Sequence, residues 1–325
     1  MPDILHTDHY IASTEPGCRV MLRNKCLADT PLDIDGSRTV LFVHGATYAS
    51  SLTFDYAIDG ESWMDHLARQ GFDTWCIDLV GYGGSDRPTA MSEPAEHNPP
   101  ICDTRLAATD VGLAVTFICG QHNIPRLNLI GYSWGTAIAG TYAGEHPERI
   151  RKLALSGALW VSAGATTQLA AGPLGAYRMV DASAAAKRWT QGLDQARIDS
   201  LAPAGHIDAW CTDAIASDQA NSSADPQNVP PQLRAPTGVL KDFGACAASG
   251  EPWYEPAKIC APTLIVVGEW DRETTPEQCQ AVFARLERAA SKRLTILGGG
   301  THSLLLENQR HALHAVIDEF LLAST

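Results

Sequence analysis

Few folds accommodate an apolar run that ends on a glycine-flanked serine and then continues in small residues. Here Leu127-Asn128-Leu129-Ile130 runs into Gly131-Tyr132-Ser133-Trp134-Gly135, and Thr136-Ala137-Ile138-Ala139-Gly140 follows. The apolar run has the character of a strand, and the small residues after it carry on at helical spacing. Between them fits one sharp turn with the serine at its apex, where Gly131 and Gly135 relieve a bend that larger side chains would crowd. Ala137, Ala139 and Gly140 would let the helix pack closely on a sheet. Such a turn lifts the Ser133 hydroxyl above the sheet and sets a helix N-terminus behind it, which favours negative charge. An ordinary strand-to-helix turn that happens to hold a serine gives the same pattern, so a nucleophile has to be argued from its partners.

The rest of the chain keeps the same rhythm. Tyr10 to Ser13 and Arg19 to Leu22 are short β-like pieces in an N-terminal stretch (residues 1 to 38) that suggests an antiparallel edge. Thr39-Val40-Leu41-Phe42-Val43 is a continuous apolar run of the kind a strand covered on both faces shows, and it stops at His44-Gly45-Ala46-Thr47. A helix is expected around Ser62 to Gln70, closed by Gly71, then a strand from Asp73 to Leu79 and a helix from Asp103 to His122. Lys152-Leu153-Ala154-Leu155 and Thr263-Leu264-Ile265-Val266-Val267 read as further strands, Pro276 opens a helix through Arg288, and Leu294 to Leu297 is the last strand. Leu304 to Leu322 is expected as one closing helix. Strands alternating with helices at this spacing imply an α/β fold with a mostly parallel sheet covered by helices on both faces.

The rhythm breaks between about Trp160 and Pro256. The segment has weak helical patterning at Ala182 to Ile198 and many turn formers from Asn221 to Pro236. Trp160, Trp189, Trp210, Trp253 and Tyr254 are too much apolar area for a solvated linker. We therefore expect a mainly helical cap at 160–256, inserted into a core domain made of 1–159 and 257–325.

Composition limits the partners. The chain has 325 residues, 45% hydrophobic and 19% charged, and a net charge of −13, which argues against nucleic acid and anionic membrane surfaces. The N-terminus lacks a basic stretch followed by an apolar one, and no run of about 18 apolar residues is present to span a bilayer. Nine cysteines without a CxxC pair point to a reducing cytoplasm, although a bridge such as Cys211 to Cys246 stays open. Oligomeric state is left open, a homodimer included.

A serine nucleophile needs a base to take its proton and a carboxylate to orient that base. In an open α/β sheet these groups lie at the carboxyl ends of strands. One such end supplies Gly268-Glu269-Trp270-Asp271-Arg272, with Glu273 next, and another supplies Gly298-Gly299-Gly300-Thr301-His302. His302 is the expected base. Asp271 is preferred as its carboxylate over Glu269 and Glu273, although Asp271 could instead pair with Arg272. The oxyanion of an acyl-transfer intermediate needs N–H donors: Trp134 after the nucleophile, and Ala46, with Thr47 as rival, in the turn after Val43. His44 is read as a structural group in that turn. Thr47, Trp160 and Leu304 are expected substrate-pocket residues, and the tryptophans of the 160–256 segment join Trp134 and Leu304 as candidate walls. His6/His9 and His311/His314 lack a third partner at metal-ligand spacing, and Gly81 to Gly84 is not a nucleotide-binding loop.

Taken together, Val43-His44-Gly45-Ala46, Asp78-Leu79-Val80-Gly81-Tyr82-Gly83-Gly84-Ser85, Gly131-Tyr132-Ser133-Trp134-Gly135, Gly144-Glu145-His146-Pro147-Glu148-Arg149, Gly268-Glu269-Trp270-Asp271 and Gly300-Thr301-His302 resemble the α/β-hydrolase fold superfamily, in its order. The resemblance implies a Ser133, Asp271, His302 triad and no cofactor or metal. A serine at the elbow departs from the haloalkane dehalogenase and epoxide hydrolase branches, which use aspartate there. The Ser-Trp-Gly elbow is similar to proline iminopeptidases, but His44-Gly45-Ala46-Thr47-Tyr48 replaces their His-Gly-Gly-Pro-Gly turn. A lipase-type His-Gly-Gly-Gly is also absent.

The expected activity is hydrolysis of a carboxylic ester, or a close acyl analogue, of a small to medium, partly apolar substrate. Amide, lactone or carbon–carbon bond hydrolysis, acyl transfer, and a ligand-binding receptor on the same fold are the alternatives. Because the base must be neutral, turnover should fall at acid pH around a pKa near about 6.5, the reference value of imidazole.

Overall fold

The computed structural model describes residues 3–28, 35–160, 173–218 and 231–323. Among these, eight strands form one sheet in the order β1-β2-β4-β3-β5-β6-β9-β10: β1 (Ile4–Ala12), β2 (Arg19–Leu27), β3 (Thr39–Val43), β4 (Asp73–Asp78), β5 (Leu127–Tyr132), β6 (Ile150–Ser156), β9 (Thr263–Gly268) and β10 (Lys292–Leu297). From β4 to β10 every pairing is parallel, whereas β1 and β2 are antiparallel to their neighbours. Every residue of β3, β4, β5 and β9 is buried, which is why β3 and β9 read as nearly unbroken apolar runs, while β4 and β5 also bury Asp73, Asp78 and Asn128.

The pleat sorts each run onto two faces. Leu41 and Val43 join a core with α2 (Thr104–His122), α3 (Trp134–Glu145) and α8 (Pro276–Arg285), while Val40 and Phe42 join one with α1 (Trp63–Arg69) and α9 (Arg310–Leu322). α1 starts on a capping box between Ser62 and Asp65. Gly140 on α3 faces away from the role expected of it: a Cβ there would meet the Tyr254 ring at 2.5 Å.

Three boundaries differ from the sequence reading. The N-terminal hairpin is longer than the pieces Tyr10–Ser13 and Arg19–Leu22, pairing Ile4 with Leu27 through Ala12 with Arg19, because an edge strand half in water needs no apolar alternation. α8 ends at Arg285. The stretch from Leu304 to Leu322 is not one helix: a 3-10 turn at Leu304–Leu306 and α9 are separated by Glu307, Asn308 and Gln309, and the extended backbone of Glu307 turns its carboxylate into the core. The cysteines are all free thiols, Cys211 and Cys246 included.

Between β6 and β9 the chain makes β7 (Tyr177–Val180), α4 (Ala182–Trp189), α5 (Gln195–Leu201), α6 (His206–Ala216), β8 (Leu233–Pro236) and α7 (Gly238–Ser249). β7 and β8 pair as a small antiparallel ribbon, which the helical expectation for this segment did not include. The expected helical stretch Ala182 to Ile198 is two helices, α4 and α5. Residues 161–172 and 219–230, including most of the turn-rich stretch from Asn221, lie outside the described residues. Tryptophans tie the segment to the turn after β3: Trp210 Nε1 donates to the Leu52 carbonyl at 2.8 Å, and Trp189 packs edge-on against Trp210 with ring centroids 5.1 Å apart.

Lys152 shows how the sheet holds its last helix. Its buried ammonium donates to the carbonyls of Phe320, Leu321 and Ala323, the end of α9 that lacks intrahelical donors. Lys152→Met should therefore cost about 1–3 kcal/mol, the usual penalty for buried acceptors left without a partner. Urea unfolding measures it, and an unchanged midpoint would show that the ammonium is dispensable. Among the described residues no helix is long and apolar enough to cross a membrane.

Candidate active site

Ser133 has φ 54° and ψ −123°, a backbone region that side chains other than glycine rarely adopt. The surroundings enforce it. Ser133 N–H donates to the Ser156 carbonyl on β6 at 2.9 Å, and α3 begins at the next residue. A Cβ at Gly131 would lie 2.4 Å from the Gly135 carbonyl oxygen, and one at Gly135 would lie 2.2 Å from that of Val43. Only glycine fits either side of this turn.

The loops after β9 and β10 bring two more side chains to the serine. His302 Nε2 lies 2.8 Å from Ser133 Oγ, and His302 Nδ1 lies 2.8 Å from Asp271 Oδ2. Asp271 is buried, and its Oδ1 accepts from the N–H groups of Glu273 (2.9 Å) and Thr274 (2.8 Å), while Thr274 Oγ1 donates to Oδ2 at 2.8 Å. With Asp271 accepting from Nδ1–H, the free lone pair of the ring sits on Nε2, facing the hydroxyl. Of the rival carboxylates, Glu269 accepts from Gly299 N–H at 3.1 Å on the surface, and Glu273 pairs with Arg188 while standing 3.8 Å from His302 Nε2. Arg272 turns away to the Gly192 carbonyl at 3.4 Å.

Burial alone would lower the His302 pKa, but the Asp271 and Glu273 carboxylates outweigh it and leave the imidazole above its ordinary value of 6.5. The imidazole loop is anchored from below. Tyr132 Oη donates to the His302 carbonyl at 2.9 Å, and the buried Glu307 carboxylate accepts from Thr301 N–H (2.9 Å), the Thr301 hydroxyl and Trp189 Nε1–H (2.7 Å). Burial holds the Glu307 carboxyl above the usual carboxylate range.

Trp134 opens α3, so its N–H has no intrahelical acceptor. Ala46 lies in the turn after β3 and lines the same cavities as Ser133. Among the described residues neither N–H is taken by a backbone carbonyl. Beneath that turn, buried His44 accepts from Leu79 N–H through Nε2 at 3.1 Å, so Nδ1 carries the proton and donates to the Gly45 carbonyl at 2.7 Å. Burial pushes its pKa down, which suits a neutral structural ring.

Two cavities meet at Ser133. One, about 40 Å³, lies among Tyr48, Tyr132, Trp189, Trp210 and His302. The other, about 670 Å³, lies among Trp134, Arg178, Arg188, Trp253 and Glu273. Trp189, Trp210 and Trp253 thus face the site, but Trp160 and Leu304 line neither cavity: Trp160 packs on Tyr254 under Arg285, and Leu304 is buried against Gly300. Thr47 also lines neither; its hydroxyl receives Arg178 Nη2 at 2.5 Å. Tyr48, Arg178 and Arg188 were not singled out from the sequence, and the one available signal was an arginine inside the short β-like run Tyr177-Arg178-Met179-Val180. Among the described residues no three metal-ligating side chains converge.

The sequence profile of the family described as alpha/beta hydrolase fold matches residues 38–309. Bifunctional epoxide hydrolase 2 of Rattus norvegicus is 32% identical over 100 residues, covering 29% of this chain and 16% of that protein. The 1-acylglycerol-3-phosphate O-acyltransferase of Arabidopsis thaliana is 30% identical over 131 residues, covering 40% of this chain and 27% of that protein. The matches thus take in less than a third of each curated relative. A hydrolase from Pseudomonas aeruginosa superposes with a TM-score of 0.60 at 18% identity, over 97% of this chain and 98% of that one, a likeness of fold.

Proposed function

The chain belongs to the alpha/beta hydrolase fold family, and from that premise we propose that it is a serine hydrolase that cleaves a carboxylic ester of a small to medium, partly apolar substrate. The observation that carries the proposal is the hydrogen-bonded chain from Ser133 Oγ through His302 to Asp271, with 2.8 Å at each step. In this reading His302 Nε2 takes the Ser133 proton as Oγ attacks the ester carbonyl, and the N–H groups of Trp134 and Ala46 hold the oxyanion. The protonated imidazole then gives its proton to the leaving alcohol. Water, deprotonated by the same nitrogen, releases the acid from Ser133. Asp271 fixes the tautomer and stabilises the imidazolium. Residues 160–256 act as the cap over a core of 1–159 and 257–325, and the 670 Å³ cavity is of the size that takes a ligand of this class.

A fluorophosphonate probe tests the proposal. An adduct on the Ser133 peptide, together with acid release from a panel of acyl esters in preference to amides and lactones, is the expected result. Silence toward the probe would favour a ligand-binding receptor on the same fold. Faster transfer to an added alcohol than to water would make the protein an acyltransferase instead.

The pH profile follows from the carboxylates around His302. A raised imidazole pKa means the base is already lost to protonation above pH 6.5, so the acid limb of kcat/KM should have its midpoint above 6.5 rather than at it. Glu273→Gln removes one of the two raising charges and should move that midpoint down. A wild-type midpoint at or below 6.5 would contradict both statements.

A further inference from the structure

The larger cavity carries charge that ester cleavage does not use. Arg178, Lys187 and Arg188 line it together with one carboxylate, Glu273. Arg188 and Glu273 satisfy each other through two hydrogen bonds. Among the described residues neither Arg178 nor Lys187 stands within ion-pair distance of a carboxylate. The chain as a whole has a net charge of −13, so a cavity where cations outnumber anions runs against its composition.

Arg178 sits on β7 and leans on the oxyanion turn through its bond to Thr47 Oγ1. Its Nη1 is buried and has no hydrogen-bond partner among the described residues. A guanidinium taken out of water without a counter-charge is costly, and burial already pushes this one below the usual arginine value. Leu159, Val239, Leu240, Phe243 and Trp253 supply an apolar surface in the same cavity.

We infer that the substrate is an acid-bearing ester, whose apolar body carries a carboxylate that pairs with Arg178 and Lys187 in the larger cavity while the ester carbonyl lies at Ser133. This rests on the serine-hydrolase reading and adds a substrate class to it. A carboxylate fits better than a phosphate. Nη2 is already spent on Thr47, and Glu273 on the same wall repels a second negative charge more than a first.

The test is calorimetric titration of the wild-type chain with phenylbutyrate and with its uncharged amide, phenylbutyramide. The acid should bind roughly 10- to 100-fold more tightly, the range for a hydrogen bond between charged groups. Arg178→Met should bring the two ligands near parity, and Arg178→Lys should restore part of the preference. A guanidinium that merely props Thr47 would weaken both ligands alike and leave their ratio unchanged, which overturns the inference. So does equal binding to the wild type, or tighter binding of phenylpropylphosphonate than of the carboxylate. Should Arg178→Met fail to fold, Arg178→Lys and Lys187→Gln carry the test, and an undiminished preference in both sinks it. Fluorophosphonate labelling run in parallel separates the two readings. Labelled Ser133 without acid preference removes only the inference; acid preference without labelling removes only the serine chemistry.

Discussion

Ser133→Ala should lower ester turnover by about three to six orders of magnitude while leaving the thermal midpoint where it is. The substitution removes a single oxygen. It keeps the Cβ that the turn already accommodates and, like serine, occupies φ 54° under constraint from the Ser156 carbonyl and the start of α3. Folding therefore sees little change, whereas the proposed reaction loses its attacking atom. Acid release under saturating ester and a thermal melt on the same preparation measure both halves. Residual turnover within tenfold of the wild type would mean that Ser133 is not the nucleophile.

Asp271→Asn is expected to cost about 10⁴-fold for a subtler reason. Two backbone N–H groups, from Glu273 and Thr274, donate to Asp271 Oδ1. An asparagine must keep its carbonyl oxygen toward them, which points its NH2 group at His302 Nδ1. That nitrogen must then accept, the ring proton moves to Nε2, and Nε2 can no longer take the Ser133 proton. The geometry stays and the tautomer is wrong. Turnover within tenfold of wild type would refute this account of Asp271, and Thr274→Val, which removes one lesser hydrogen bond to the same carboxylate, should cost far less.

Much of the fold was legible because the central strands are buried on both faces. Val40 to Val43 and Leu264 to Val267 have no solvent side to break their apolar runs, and helices that alternate with such runs leave one sheet topology within reach. Ser133, Asp271 and His302 could be put forward together for a related reason: each follows a recognisable strand end, and the structure sets them within hydrogen-bonding distance. The cavity walls could not. Arg178 and Arg188 come from a segment with only weak helical patterning, where tertiary packing decides which side chain faces the serine. Leu304 sits near His302 in sequence, but the 3-10 turn buries it, and Trp160 is drawn to Tyr254. Glu307 was hidden because a carboxylate within an apolar stretch looks like the exposed face of a helix.

That carboxylate joins two parts of the molecule that lie far apart in the chain. Glu307 accepts at once from Thr301, the residue before the imidazole, and from Trp189 at the end of α4. Loss of the indole bond would leave the buried carboxylate to Thr301 alone, so a disturbance at α4 would be felt next to His302.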